Sequence, residues 1–150
     1  MSSRPIPTLP CLCATLRRSC RALTECYEEF LRPLGLRSSQ FTILQALGRA
    51  GRMTQGALGG ILVMDTTSLT RTLAIMRRRR WITERRGRDR RERWLGLSKA
   101  GEALLNRALP AWTQTQAALQ NRLGEPAWQN LFQLTNQVTI LVAAQQGVSK

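Results

Sequence analysis

Apolar residues recur along this chain at helical spacing for most of its length. After a proline-bearing stretch over residues 1–10, the positions Leu12, Leu16, Cys20, Leu23 and Tyr27 step by three or four, and Phe30 and Leu31 follow Tyr27 by three and four, which lines one face of an α-helix. Pro33 and Gly35 end that helix. Phe41, Leu44 and Leu47 predict a second helix, with Ser38 or Ser39 as its cap and Gly48 and Gly51 at its close. Thr54 opens a short third helix to about Leu62, and Asp65 a fourth to about Arg80 with the stripe Leu69, Leu73 and Met76. Residues 81–86 and 93–97 read as two short strands around the polar turn 87–92, a hairpin with a charged tip. Ser98 caps a long fifth helix carrying Leu104, Leu105, Leu109, Trp112, Leu119 and Leu123; Pro110 inside it predicts a kink. Gly124 stops it. Pro126 suits the first turn of a sixth helix, expected to bury Trp128, Leu131, Phe132, Val138, Leu141 and Val142. The fold class is mostly α (α+β): about six helices and a two-stranded hairpin.

Composition narrows the function. The chain has 150 residues and is 43% hydrophobic, enough for one domain with a real core. Its formal net charge is +14, and all but two of its 23 basic residues are Arg, the exceptions being Lys99 and Lys150. Arginine presents a planar fork that suits phosphates and guanine edges, so the balance points to a polyanionic partner. There is no histidine, which removes the usual general base, the commonest metal ligand and every Ser–His or Cys–His pair. The nine carboxylates are scattered. An enzyme is not expected, nor a bound metal or cofactor. The N-terminal residues lack an apolar leader segment, and the uncharged stretch 126–149 is too rich in Gln and Asn for a membrane span; a cytoplasmic location is expected.

Charge is densest in the middle. Residues 53–97 hold eleven basic and four acidic side chains, net +7. A helix-turn-helix sets the N-terminal half of its second helix against base edges in the major groove. Thr66, Thr67, Ser68, Thr70 and Arg71 occupy that half of the fourth helix, with Arg77 further along. Short hydroxyl side chains permit close approach, and Arg71 is long enough for a guanine. A solvated polar face is the plain alternative for this helix alone. The hairpin shifts the balance: Arg85, Arg86, Arg88, Arg90 and Arg91 crowd into seven residues. They repel one another unless a polyanion is near, and a thin arginine-bearing ribbon fits the electronegative minor groove.

These residues carry a resemblance. An Asp, any residue, an Arg, five residues, then Leu-Ser, two residues and Gly is the order of Asp89, Arg91, Leu97, Ser98 and Gly101, and it is similar to the wing pattern of MarR-family regulators. Gly35-Leu36 followed by Ser39-Gln40-Phe41 resembles the entry to that family's second helix, and residues 65–80 its recognition helix. The resemblance spans about residues 11–147. It implies a single MarR-like domain over 1–150, with dimerisation helices at 11–32 and 98–147 and a winged helix-turn-helix lobe at 36–97. It further implies a homodimer on a near-palindromic double-stranded DNA operator, Arg91 as the wing arginine and Asp89 as the residue orienting the wing turn. Repression relieved by a small aromatic effector or by an oxidant is the implied mode. Unsatisfied apolar faces on the first, fifth and sixth helices agree with a dimer.

All four cysteines, Cys11, Cys13, Cys20 and Cys26, lie in or at the first helix. At about 100° per residue Cys20 and Cys26 face apart, which argues against a four-cysteine zinc site. Cys13 and Cys20 share a face but stand roughly 10 Å apart along the axis, too far for a bridge. The offset of Cys13 to Gln40-Phe41 is similar to that of the sensing cysteine in the family's organic-hydroperoxide branch, and Tyr27 falls where that branch keeps a tyrosine. Arg17 and Ser38 stand where it has two more. Cys13 and Tyr27 are thus the candidate redox site, weighed against cysteines acting as small hydrophobes in a helix interface. Two further function classes remain. A non-specific architectural basic protein would bind every duplex alike with a steep salt slope. A thiol peroxidase built on Cys13 would turn over peroxide.

Overall fold

The computed structural model describes residues 7–89 and 92–147. Its elements are α1 (Leu12–Leu31), a 3₁₀ turn (Arg32–Leu34), α2 (Ser38–Ala50), β1 (Met53–Thr54), α3 (Gln55–Leu62), α4 (Thr66–Arg78), β2 (Ile82–Arg86), β3 (Arg93–Leu97), α5 (Lys99–Leu123) and α6 (Glu125–Gly147). The mostly helical α+β fold expected from the pattern is present. The sheet has three strands in the order β1-β3-β2, all antiparallel. Leu95 pairs with Met53 on one side and Glu84 on the other. The sequence pattern predicts only the outer hairpin, because a two-residue strand has no periodicity to read.

One core joins these elements. Leu31, Leu36, Phe41, Ile43, Leu44, Leu47, Leu58, Leu69, Leu73, Met76, Ile82, Leu95 and Ala108 are all at most 5% exposed. It draws on α2, α3, α4, the sheet, the end of α1 and the first turns of α5, so the helix-turn-helix and hairpin form one body with a firm floor.

Local chemistry fixes the joints. Gly35 adopts φ 69° after the 3₁₀ turn, and the Leu36 N–H reaches back to the Leu31 carbonyl at 3.1 Å, closing α1. The cap of α2 differs from expectation. Arg37, not a serine, holds the cap position. The Glu28 carboxylate accepts the Ser38 N–H at 3.0 Å and pairs with Arg37 at 3.3 Å, while Gln40 Oε1 accepts the Arg37 N–H at 2.9 Å. A carboxylate delivered by α1 replaces the serine hydroxyl and ties α1 to α2. At the start of α5, Ser98 is the cap, as expected. Its Oγ accepts the Gly101 N–H at 3.0 Å and donates to the Arg80 carbonyl at 2.6 Å, and its N–H donates to Trp81 O at 3.1 Å. The helix packs so closely that a Cβ on Gly101 would lie 1.9 Å from Trp81 O. That joint is the physical content of the Leu-Ser-x-x-Gly pattern.

The expected burial of the sixth helix is corrected by the structure. Leu131, Phe132, Leu141 and Val142 are 44–66% exposed in the single chain, and Trp128 and Val138 only half-buried. The reason is geometric: α6 packs chiefly along α5, which covers one side of a helix that is apolar on several. Leu12 on α1 and Leu123 on α5 are likewise exposed. Cys11, Cys13 and Cys20 are exposed too, with Cys26 half-buried, so within one chain they do not act as core hydrophobes. The fifth helix runs unbroken through Pro110. Among the described residues no helix is long and apolar enough to cross a membrane.

Candidate nucleic-acid interface

Three devices hold the exposed face of α4. Thr54 Oγ1 caps α3 by accepting the Ala57 N–H at 3.1 Å. The α3–α4 turn is closed by Val63 at φ 49°, with the Met64 N–H on the Gly59 carbonyl at 3.0 Å. Asp65 Oδ1 caps α4 by accepting the Ser68 N–H at 2.8 Å. Hydrogen bonds from Ser68 hold the Asp65 carboxyl below its usual range, so it stays ionised at the positive end of the helix. Leu69, Leu73 and Met76 anchor the helix on the core. Thr66, Thr67, Ser68, Thr70 and Arg71 then share the solvent side, all exposed. Gln55 at the start of α3 donates to Thr70 Oγ1 at 3.0 Å. Nothing in the sequence marks Gln55, because its partner lies fifteen residues away on another helix.

The hairpin stands beside this face. Arg85, Arg86 and Arg88 are exposed along β2 and the tip. The Gly87 N–H bonds the Glu92 carbonyl at 2.9 Å and the Glu92 N–H bonds the Asp89 carbonyl at 3.0 Å, so the Asp89 backbone helps close the tip. A Cβ on Gly87 would meet Glu92 Oε2 at 2.7 Å. Arg90 and Arg91 lie outside the described residues. A groove of about 600 Å³ separates the hairpin from the helices, lined by Thr54, Gly56, Gly60, Thr66 and Arg93 among others. Arg77 has a different setting from the other described cationic candidates. Its guanidinium is 3.1 Å from Glu84 on β2, and its side chain is 31% exposed. Arg79 lies over the Trp81 ring at 5.8 Å.

The redox candidates lie apart. Cys13 is exposed, with Arg17 Nη2 at 3.8 Å from its sulfur. Tyr27 is fourteen residues on, about 21 Å along the helix axis. Gln116 Nε2 donates to its hydroxyl, and burial pushes that hydroxyl above its ordinary pKa. One chain therefore does not bring Cys13 and Tyr27 together. Two apolar cavities flank Gln116. One, of about 670 Å³, lies between α2 and the last two helices, with Gln45, Arg49, Trp112 and Trp128 in its walls. The other, of about 590 Å³, lies between α1, α5 and α6 and includes Cys20, Tyr27 and Phe132. Among the described residues no three metal-ligating side chains cluster.

Known proteins share this architecture. A MarR family model matches residues 34–92. The transcriptional regulator MosR of M. tuberculosis, solved in complex with DNA, is 30% identical; the match covers 89% of this chain and 97% of that one, with a TM-score of 0.81. The chain belongs to the MarR family. A mutant of MarR from E. coli complexed with operator DNA has the same fold at 22% identity, covering 85% of this chain and 92% of that one, with a TM-score of 0.77. The uncharacterized HTH-type transcriptional regulator YwoH of Bacillus subtilis is 33% identical over 87 residues, 58% of this chain. The chain spans 64% of that relative's length. The MarR family match starts just before α2 and ends at the wing tip, so it takes in the helix-turn-helix and the first wing strand and leaves α1, β3, α5 and α6 outside. Family and fold are those of transcription regulators rather than enzymes.

Proposed function

We propose that this MarR family member is a sequence-specific double-stranded DNA-binding transcriptional regulator working as a homodimer. The observation that carries the reading is the side-by-side placement of an exposed hydroxyl-and-arginine face, Thr66, Thr67, Ser68, Thr70 and Arg71, and an arginine ribbon bearing Arg85, Arg86 and Arg88. The first fits the major groove and the second the neighbouring minor groove. The DNA in the MosR and MarR structures supports it. Arg77, Arg90 and Arg91 extend this set, with Asp89 orienting the wing turn. Residues 36–97 form the binding lobe, and residues 11–32 and 98–147 pair with a second copy. The apolar side chains left open on α6, such as Phe132 and Leu141 at 57% and 66% exposure, favour that pairing, because soluble monomers rarely leave such a face uncovered.

The regulator acts as a repressor released by a signal. The Trp-lined cavity between α2 and the last two helices favours a small aromatic effector. The exposed Cys13 thiol, with Arg17 Nη2 at 3.8 Å from its sulfur, favours oxidation as a second signal, because an accessible thiol can be oxidised reversibly. A random-sequence duplex pool offered to the wild-type protein tests the central reading. Enrichment of a near-palindrome, bound at least about 10³-fold more tightly than random duplex at physiological salt, is the expected result. Equal affinity for all duplexes would leave only the non-specific architectural reading.

A further inference from the structure

We propose that Glu84 is a positioning residue that locks the wing to the recognition helix and so sets the contrast between selected and random DNA; this rests on the regulator reading above. The carboxylate sits mid-strand on β2 with 18% of its side chain exposed. One oxygen, Oε2, lies 3.1 Å from Arg77 Nη1 on α4; the other, Oε1, accepts a 2.7 Å hydrogen bond from Arg93 Nη1 on β3. Among the described residues three ion pairs occur, and Arg77–Glu84 is the one that joins α4 to the sheet.

Glu84 is the shielded anion in the most basic block of the chain. Without it, the Arg77 and Arg93 guanidinium groups face each other across the same space, and like charges at such range repel. Arg77 Nε and Glu84 Oε2 are buried without an aligned hydrogen bond, so the α4 side of the clamp is held by charge rather than by directional bonding. The chain between α4 and β2 is short, with Arg80 in the left-handed region at φ 58°. The Arg77–Glu84 pair spans this turn and adds a side-chain tie across it. Most exposed ion pairs contribute little; this one is half-shielded, three-membered and spans two elements that must fit two grooves at once. Loosening it frees two arginines for any phosphate while blurring the angle at which wing and helix meet a particular sequence.

Glu84→Gln keeps the shape and removes the charge. Two probes are used with full-length protein: a duplex enriched by the wild type from a random pool, and a random duplex of equal length. The variant is expected to bind the random duplex as well as or better than wild type, with a salt slope steeper by up to about 2 as two cations are freed. It is expected to bind the enriched duplex about tenfold more weakly, the scale of a broken coupled network. Affinities rising together would show that Glu84 acts through charge alone and overturn the proposal, as would two unchanged affinities. Glu84→Asp keeps the charge but withdraws the carboxylate from Arg77 and Arg93 by one methylene, touches no residue of the DNA-facing set, and covers the case of a Glu84→Gln chain that does not fold. It too is expected to lower the ratio, and an unchanged ratio there overturns the clamp. A wild type that enriches no sequence would sink the regulator reading itself, whereas enrichment with an intact ratio in the variants sinks only this inference.

Discussion

Gly101→Ala adds one methyl group at the joint between wing and α5. The new Cβ would stand 1.9 Å from Trp81 O and 2.9 Å from Trp81 C, whereas carbon–oxygen contacts settle near 3.3 Å or more. The helix start must therefore retreat by more than 1 Å. Overpacking of this kind costs about 1–3 kcal/mol. The movement also stretches Ser98 N–H to Trp81 O and Ser98 Oγ to Arg80 O, each worth about 1 kcal/mol. Against this, alanine in a helix gains about 1 kcal/mol over glycine. The net is a destabilisation of about 3 kcal/mol, or roughly 6–12 °C in Tm for a chain of this size. Thermal and urea unfolding at fixed protein concentration read it, so that any self-association contributes equally to both proteins. Gly56→Ala is the matched control: α3 leaves nothing within 4 Å of its new Cβ, so the same substitution should be neutral or stabilise by up to about 1 kcal/mol. A Gly101→Ala protein within about 0.5 kcal/mol of wild type would refute the reasoning.

Other expectations can be checked on the same protein. Val63 is β-branched at φ 49° and 58% exposed, so Val63→Gly should relieve strain and stabilise by about 1 kcal/mol in urea titrations; a loss of stability would contradict the assignment of strain there. Leu141→Glu on the open side of α6 should halve the mass seen by sedimentation without changing the circular dichroism spectrum, and an unaltered mass would remove that face from any dimer contact. The Asp65 carboxyl is lowered by its bonds to Ser68. Its contribution to stability is therefore complete above the ordinary carboxylate range and lost as pH falls through its lowered value. Asp65→Ala should be less stable than wild type at neutral pH, with the gap closing in acid; a gap constant down to about pH 2 would show that ionisation plays no part.

Features with local causes were readable from the residues themselves. Thr54, Asp65 and Ser98 are caps because their side chains meet backbone N–H groups three residues on, and that spacing is visible in the sequence. The wing pattern was legible only as a resemblance to MarR-family regulators; its physical cause, the close strand-to-helix joint at Ser98 and Gly101, shows only in the packed structure. Features made by distant partners were hidden. Glu28 captures the start of α2 from the preceding helix, so the serines were favoured in error. Gln55 finds Thr70, and Glu84 gathers Arg77 and Arg93, only once helices and strands are packed. The two-residue β1 is recruited by β3 and has no pattern of its own. On α6, apolar content indicated burial, but a single chain supplies only α5 as cover.

Hydroxyl-radical cleavage of the enriched duplex, with and without protein, reads the backbone and minor groove at single-nucleotide resolution. Two winged lobes on one duplex should give two matching protected patches with centres one helical turn apart, about 10 base pairs. Arg88→Ala should erase protection at the outer edges and spare the inner positions. Uniform protection along the duplex, or an unchanged pattern in that variant, would contradict a wing and recognition helix held in adjoining grooves.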